Sequence, residues 1–517
     1  MVWLNFIKDM TQQYWGDFGY VTLFLLALVT IFFIKRDSLK RGVILLYTTV
    51  VLIFIYNPIT YFVCRSFMEE TTFIQYYQRF FSVLPVFVII AFGATLLVDK
   101  LKGFKKLIAV IGCLALLVVL GDALYKEEWF TKAENRNKVP QDVVTICDVF
   151  ADYEGDVIRI MAPQDIAVYL RQMDSRFSMP YSRYIPDEAY HLTNAVPDPQ
   201  VIVDYAKEND VDFVVVSAVD TTLNTYLNYG FKLFGRTPYY AVLQPNDPTW
   251  IVTEYADASG DQGLAWTAKN MNDGTFIVID GGNAGNEQQM REAIKENGGT
   301  VDAWILTHYH KDHIDTFNAI YEDPKGIKIK DIYVTPLAPD TFYGLNLQEW
   351  DDVDTYKKFM EITEGADNIH ELSRDQKLSF GKAQDLKLTC FNVGDDVVLN
   401  NPEDIPNNVS LVFKLETEQR SALICADAHS KYLADYLVET YGDKLDADIL
   451  QCGHHGNNSM PVESGFYKMV SPEIAVFDAP DWLMTGPEYT AGQLADYLQK
   501  LGARVVWFNT APNVFGF

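Results

Sequence analysis

The chain has 517 residues, 49% apolar and 21% charged, an ordinary globular composition that excludes a disordered chain. Its 42 Lys+Arg against 69 Asp+Glu give a formal charge of −27, which disfavours broad capture of a nucleic-acid backbone. Six cysteines without a CxxC pair argue against a disulfide framework and against a thiolate zinc knuckle.

Four uncharged apolar runs open the chain, at about 18–34, 42–64, 80–98 and 107–124. A helix needs about 20 apolar residues to cross the hydrocarbon core. Four such runs separated by charged loops are hard to bury in a soluble core. Residues 1–125 are therefore expected to form a membrane region with four transmembrane helices, the lipid bilayer being the partner. The stretch before the first run is not basic and no small-residue cleavage site follows that run, which argues against a cleaved signal peptide. Lys35, Arg36, Lys40 and Arg41 follow run one, and Lys100, Lys102, Lys105 and Lys106 follow run three. The loop between them carries Arg65 and Arg79 but also Glu69 and Glu70. The positive-inside rule places both basic loops in the cytoplasm. The expected location is the cell membrane, multi-pass, with everything after run four extracytoplasmic.

Residues 126–247 read as a small α/β domain. Val157–Met161 is a β-type run, Pro163–Met173 and Pro199–Asn209 have helical spacing, and Val211–Ala218 is a continuous Val/Phe run typical of a buried strand. Thr221–Tyr229 reads as a helix, followed by strands at Phe231–Phe234 and Tyr239–Leu243. No Gly-rich phosphate loop follows any strand, so no nucleotide site is assigned. His191 stands alone and reads as a surface or packing residue.

The informative part is 248–517. From Ile251 onward there are 20 Lys+Arg against 43 Asp+Glu, a balance of −23. Thr275–Asp280 is a strand running into Gly281 and Gly282. Asn286–Asn297 reads as a helix, and Val301–Leu306 as a buried strand ending in Thr307-His308-Tyr309-His310-Lys311-Asp312-His313. Residues i and i+2 of an extended segment point the same way. His308 and His310 can thus reach one metal ion, while Asp312 and His313 fall in the turn into a helix and face a second. Ser421–Ala426 is another apolar strand, ending in Asp427, and Ala447–Gln451 leads to Cys452-Gly453-His454-His455-Gly456. One histidine of that pair completes the first site. His454, which comes first after the strand, is the expected ligand, and His455 orients it or touches substrate. His429 and His370 read as surface residues. The tail, Ile474–Phe477, a helix near Thr490–Leu501 and Arg504–Phe508, makes a final β-α-β.

The HxHxDH string at 308–313 is the pattern of the metallo-β-lactamase superfamily. Together with Asp280-Gly281-Gly282, Asn407-Asn408-Val409-Ser410, Asp427 and the HHG at 454–456, it resembles the metallo-β-lactamase domain of competence DNA-uptake membrane proteins and the related phosphocholine esterases. The resemblance implies an αββα sandwich with metals at one sheet edge, two ions bound by His308, His310, Asp312, His313, Asp427 and His454, and Asp427 bridging them. It also places Asn408 where many members have a further histidine. Asn457-Asn458-Ser459 after HHG, and Ala426 before Asp427, depart from the subgroup.

Mixed imidazole and carboxylate ligands suit Zn(II), with Mn(II) or Fe(II) as alternatives. Two ions about 3.5–4 Å apart can hold a bridging hydroxide and lower its pKa from near 15.7 toward 7. Asp312 and His455 are the candidate catalytic groups. The leading expectation is a membrane-anchored, outward-facing metallohydrolase that cleaves a phosphodiester or related ester of the cell envelope. An extracellular nuclease related to DNA uptake is the second reading, disfavoured by charge. A non-catalytic polysaccharide-binding scaffold is the third.

Overall fold

A computed structural model describes residues 2–517 except 17–18, 35–38, 69, 121–131, 183 and 509–510. The chain divides into two compact units, Met1–Lys132 and Ala133–Phe517.

The first unit is helical. Its helices are Val2–Trp15, Gly19–Ile34, Leu39–Tyr56, Pro58–Ser66, Glu70–Ser82, Val86–Asp99 and Phe104–Leu120. By length and composition the described residues do not establish four separate spans. Among the described residues one helical stretch, Thr72–Asp99, is long and apolar enough to cross a membrane. Two bent pairs raise that to as many as three if each is one span: Trp3–Trp15 with Gly19–Ile34, bent by 89°, and Arg41–Tyr56 with Pro58–Ser66, bent by 59°. The second expected run breaks for a local reason. Asn57 stops one helix and caps the next, its side chain accepting from the Ile59 N–H at 2.8 Å, with Pro58 at the first helical position. Lys35 and Arg36 of the first basic loop, Glu69, and the end of the fourth run with the expected boundary at 125 lie outside the described residues.

The second unit holds three sheets. The first contains β1 (Ile158–Met161), β2 (Phe177–Ser178), β3 (Phe213–Ser217), β4 (Lys232–Arg236) and β5 (Tyr240–Gln244), in the order β2-β1-β3-β5-β4. β1 is parallel to both β2 and β3, while β5 runs antiparallel to β3 and β4. Helices Gln141–Val149 and Gln164–Met173 pack on one face, and Pro199–Glu208 and Asp220–Asn228 on the other. The first of these helices has no counterpart in the sequence reading.

The other two sheets have seven strands each. One runs β11-β10-β9-β8-β7-β6 with β6 (Trp250–Glu254), β7 (Ala265–Asn270), β8 (Phe276–Asp280), β9 (Thr300–Leu306), β10 (Lys328–Val334) and β11 (Ile369–Glu371). The next takes β12 (Lys377–Phe380), β13 (Leu386–Asn392), β14 (Val412–Glu416), β15 (Ser421–Ile424), β16 (Ile449–Gln451), β17 (Ile474–Phe477) and β18 (Arg504–Trp507) in chain order. The chain does not end on the expected β-α-β. A last strand, β19 (Asn513–Gly516), returns to pair antiparallel with β6.

The two large sheets face each other. Ile277 and Ile279 of β8 meet Phe413, Ile424 and Val476 across a dry core, while Phe276 and Val278 turn outward under helices Glu287–Glu296 and Lys311–Glu322. That is why β8 is buried along its whole length and reads as a continuous apolar run. Helices Lys431–Tyr441 and Ala491–Leu501 cover the opposite sheet. The layers are therefore helix, sheet, sheet, helix.

The small sheet is bolted to this sandwich. Arg420 donates Nη1 to the Asn228 carbonyl at 2.6 Å, and Arg504 donates Nη1 to the Asn224 carbonyl at 3.2 Å. Arg420 sits at the C-terminal end of helix Asp220–Asn228, where the helix dipole favours a cation, and Arg504 reaches the middle of the same helix. Beside them β19 presses its last residue on the same helix end. A Cβ on Gly516 would meet the Tyr229 carbonyl oxygen at 2.2 Å. We expect Gly516→Ala to destabilise the chain by about 1–3 kcal/mol, read as a lower denaturant midpoint at unchanged slope. An unchanged midpoint would show that the helix end is free to shift.

Candidate metal centre

Parallel pairing aligns the carboxyl ends of β8 and β9 in one sheet and of β15, β16 and β17 in the other. These ends meet at one edge of the sandwich. β9 delivers His308 and His310, and the first turn of helix Lys311–Glu322 delivers Asp312 and His313. β15 delivers Asp427, β16 delivers the histidine pair, and β8 and β17 deliver Asp280 and Asp478.

Two clusters result, and they share Asp427. His308, His310 and Asp427 form one; Asp312, His313, Asp427 and His455 form the other. Asp427 Oδ2 faces His308 Nε2 at 3.8 Å, while its Oδ1 faces His313 Nε2 at 3.2 Å and His455 Nε2 at 3.5 Å. Asp312 Oδ2 lies 3.2 Å from His455 Nε2. The carboxylate of Asp427 thus stands between two imidazole sets.

His454 was the expected ligand, and the geometry puts His455 there instead. The reason is backbone conformation. His454 and His455 both have positive φ, 52° and 53°, so the chain coils left-handed through the pair and throws the two rings apart. His454 turns away and stacks on His429, with ring centroids 4.9 Å apart and planes at 23°. The pair also completes the cluster of Asp312 and His313 rather than that of His308 and His310. Gly456 permits the coil: its own φ is +83° and a Cβ there would strike the Phe477 ring at 2.2 Å. His429 is not a surface residue. Its Nδ1 lies 3.0 Å from the Asp427 carbonyl oxygen and its Nε2 3.4 Å from Asp404. His370, on Asp331, and His191, accepting from the Asp198 N–H, remain at the surface.

A supporting layer carries residues to which the sequence reading gave no role. Asp280 Oδ2 holds His313 Nδ1 at 2.7 Å, and the Asp478 carbonyl holds His455 Nδ1 at 3.0 Å. Each bond leaves the Nε2 of that ring pointing inward. Asp351 lies 3.7 Å from His310. Gln451 accepts from the Cys425 and Ala426 N–H groups at 2.8 and 2.7 Å, pinning the turn before Asp427. Asn408, expected in the place of a lost ligand, is spent on the backbone: its Oδ1 accepts from the His429 and Ser430 N–H groups at 3.2 Å. An aspartate after a strand, as at 280 and 478, was a signal present in the chain, but only topology shows which imidazole it meets.

The fit to metal rests on unpaired atoms. His308, His310, His313 and His455 Nε2 and Asp427 Oδ1 are all buried, and none has a hydrogen-bond partner among the described residues. Buried polar groups are ordinarily paired, because leaving one unpaired costs about 1–3 kcal/mol. Five such atoms converging on a shared carboxylate are a donor set for divalent cations. Electrostatics points the same way. Burial works against a charged His455, but Asp427 and Asp312 outweigh it and hold the ring up at about 10. Burial also works against His313, and Asp427 and Asp280 again outweigh it.

Residues 259–322 match the family model of the metallo-beta-lactamase superfamily. Solved structures similar to this chain include the metallo-beta-lactamase fold protein YhfI of Bacillus subtilis, at 15% identity over 52% of this chain and 100% of that one, TM-score 0.33. The metallo hydrolase Igni18 of Ignicoccus hospitalis gives 15%, 52%, 100% and 0.32. Human tRNase Z, short form, gives 16%, 44%, 91% and 0.28. No curated protein matches the chain.

Two expectations follow. His455→Ala should lower bound metal in the purified chain by about one ion while His454→Ala keeps it; the reverse, by elemental analysis, would return the ligand role to His454. Because His455 and His313 hold protons when no ion is bound, metal must displace them, and apparent affinity should rise from roughly pH 6 to pH 9. A flat profile would show that the rings are neutral before metal arrives.

Proposed function

We propose, from a metallo-β-lactamase superfamily domain as premise, that this chain is a membrane-anchored dinuclear hydrolase of phosphodiesters or related esters of the cell envelope. The observation that carries the reading is the inequality of the two clusters. One has three protein groups and the other four, and they share Asp427. Both clusters reach a cleft of about 510 Å³, one through His310 and the other through Asp312, with the shared Asp427 on its wall. Asn408 supplies no ligand there, so the open positions suit a substrate that brings its own anionic oxygens.

His308, His310 and Asp427 would hold one divalent ion and Asp312, His313, Asp427 and His455 the other, zinc being the first choice. Ions bound there would lower the pKa of a shared water from near 15.7 toward 7 and neutralise charge on a phosphoryl oxygen. The residues do the rest. Asp312 takes a hydrogen bond from Gln262 Nε2 at 3.2 Å and is placed to hold the proton of the attacking water. Lys311 and the stacked His429 and His454 line the cleft and meet the leaving side of the ester. His454 Nδ1 is buried without a partner, and burial lowers the pKa of that ring, so it meets substrate as a neutral imidazole.

The membrane reading is supported by what the first unit leaves uncovered. Leu107, Ile111, Leu114 and Val118 are exposed on helix Phe104–Leu120, and Val43, Leu46, Val50 and Ile53 on helix Leu39–Tyr56. Apolar residues in that number are at home against lipid. With Lys100, Lys102, Lys105 and Lys106 in the cytoplasm, the hydrolase region faces outward.

The metal-loaded full chain, in detergent, should hydrolyse bis(p-nitrophenyl) phosphate faster than a β-lactam or a thioester. Preference for either of those would overturn the substrate class, and robust cleavage of single-stranded DNA at physiological salt would favour a nuclease. Asp280→Asn should weaken metal binding by about 10–100-fold through His313. Protease added to intact cells should remove the hydrolase region. Its protection until lysis would reverse the orientation.

A further inference from the structure

The strand order β2-β1-β3-β5-β4 contains a switch point. From β1 the chain crosses through helix Gln164–Met173 to β2 on one side, then through helix Pro199–Glu208 to β3 on the other. The two helices lie on opposite faces of the sheet. They part over the carboxyl ends of β1 and β3, where open α/β sheets form their ligand crevices. Two adjoining cavities occupy that place here, of about 540 and 920 Å³, and share Asp165, Thr193 and Tyr240. The size suits a ligand of one to a few rings. This crevice belongs to the small sheet, and none of the metal-centre residues lines it.

Its chemistry narrows the ligand. No Lys or Arg lines either cavity among the described residues, whereas Asp142, Asp165 and Asp187 do. The nearest guanidinium of note, Arg236, is held by the Ala218 carbonyl at 3.2 Å. With three carboxylates on its wall and no cationic side chain, the crevice offers a phosphate or carboxylate ligand no charge partner. A multivalent cation fits no better, because these carboxylates form no metal cluster among the described residues and two of them, Asp165 and Asp142, are already engaged by hydroxyls. Tyr240 donates its hydroxyl to Asp165 Oδ2, and Thr237 donates to Asp142 Oδ1. Each carboxylate is thus oriented and keeps one oxygen to accept from a ligand hydroxyl. Around them the rim is aromatic: Tyr190 is 68% exposed and Tyr239 71% exposed, one on each cavity. Tyrosines left open beside a polar crevice offer flat apolar faces, which C–H-rich sugar rings cover while their hydroxyls bond to carboxylate, amide and hydroxyl groups.

We propose that this crevice is a carbohydrate-binding site for a neutral oligosaccharide, with successive rings on Tyr190 and Tyr239 and ring hydroxyls on Asp165, Gln164 and Thr193. The site is independent of the metal centre and of the reaction assigned to it.

The test uses the full chain in detergent and isothermal titration calorimetry with four probes: chitotetraose, cellotetraose, tri-galacturonate and choline chloride. At least one neutral tetrasaccharide should bind, and Tyr190→Ala and Tyr239→Ala should each weaken it about tenfold, about 1.4 kcal/mol, at unchanged melting temperature. Failure of both tetrasaccharides to bind at millimolar concentration overturns the site. Equal binding of tri-galacturonate or choline overturns the ligand class. Binding untouched by both substitutions overturns the location.

Discussion

The C-terminal architecture depends on one costly arrangement: a buried carboxylate, Asp427, held among imidazoles whose inward nitrogens have no hydrogen-bond partner among the described residues. Without a cation the cluster leaves desolvation uncompensated, and with protons instead of cations it holds His455 and His313 charged in the interior. The chain carries this cost with rigidity nearby. Gln451 clips the turn before Asp427, Ser410 Oγ accepts from the Asp427 N–H at 3.2 Å, and Asn408 clips the turn after it. Backbone strain gathers at the same edge. Asp280, Ala426, His454 and His455 all have positive φ, a conformation that non-glycine residues adopt only where the surroundings over-determine it.

Strand ends supply nearly every group in this centre, which explains what was legible in the sequence. An apolar run followed within three residues by His or Asp marks a buried strand delivering a polar group to an edge, and that pattern recurs after Leu306, Ile424 and Gln451. Period-2 geometry separated the pair His308 and His310 from Asp312 and His313 without coordinates. The choice between His454 and His455 was not legible, because two consecutive left-handed residues reverse the rule that the first group after a strand points onward. Asp351 and Asp478 were invisible for another reason. Each is far in sequence from the imidazole it supports: a loop before helix Val353–Ile362 brings Asp351 to His310, and the pairing of β16 with β17 brings the Asp478 carbonyl to His455.

The N-terminal unit shows the same division between composition and geometry. Hydropathy located the apolar segments, but it could not see that Asn57 and Pro58 break one of them or that Glu70–Ser82 and Val86–Asp99 join in a single long stretch. The helix Val2–Trp15 carries enough polar residues to escape an apolar-run search. β19 escaped it too, since Asn513–Gly516 is four residues long and earns its place only by pairing with β6.

Charge sets the last condition on what the metal centre can accept. The cleft mouth carries Asp261, Asp352 and Asp404 against Lys311, and Asp352 Oδ2 already accepts from the Lys311 N–H at 3.1 Å. A long polyanion would meet this rim and the acidic surface behind it at many points at once. On the proposed function, a single phosphodiester would meet the rim briefly and then lie against divalent ions held at the centre. Screening shortens the reach of the rim to about 8 Å at physiological ionic strength, whereas the buried centre is hardly screened. The field therefore selects by length rather than by the sign of one group. On the proposed reading, a small or internally compensated ester would pass where a nucleic-acid strand would be turned away.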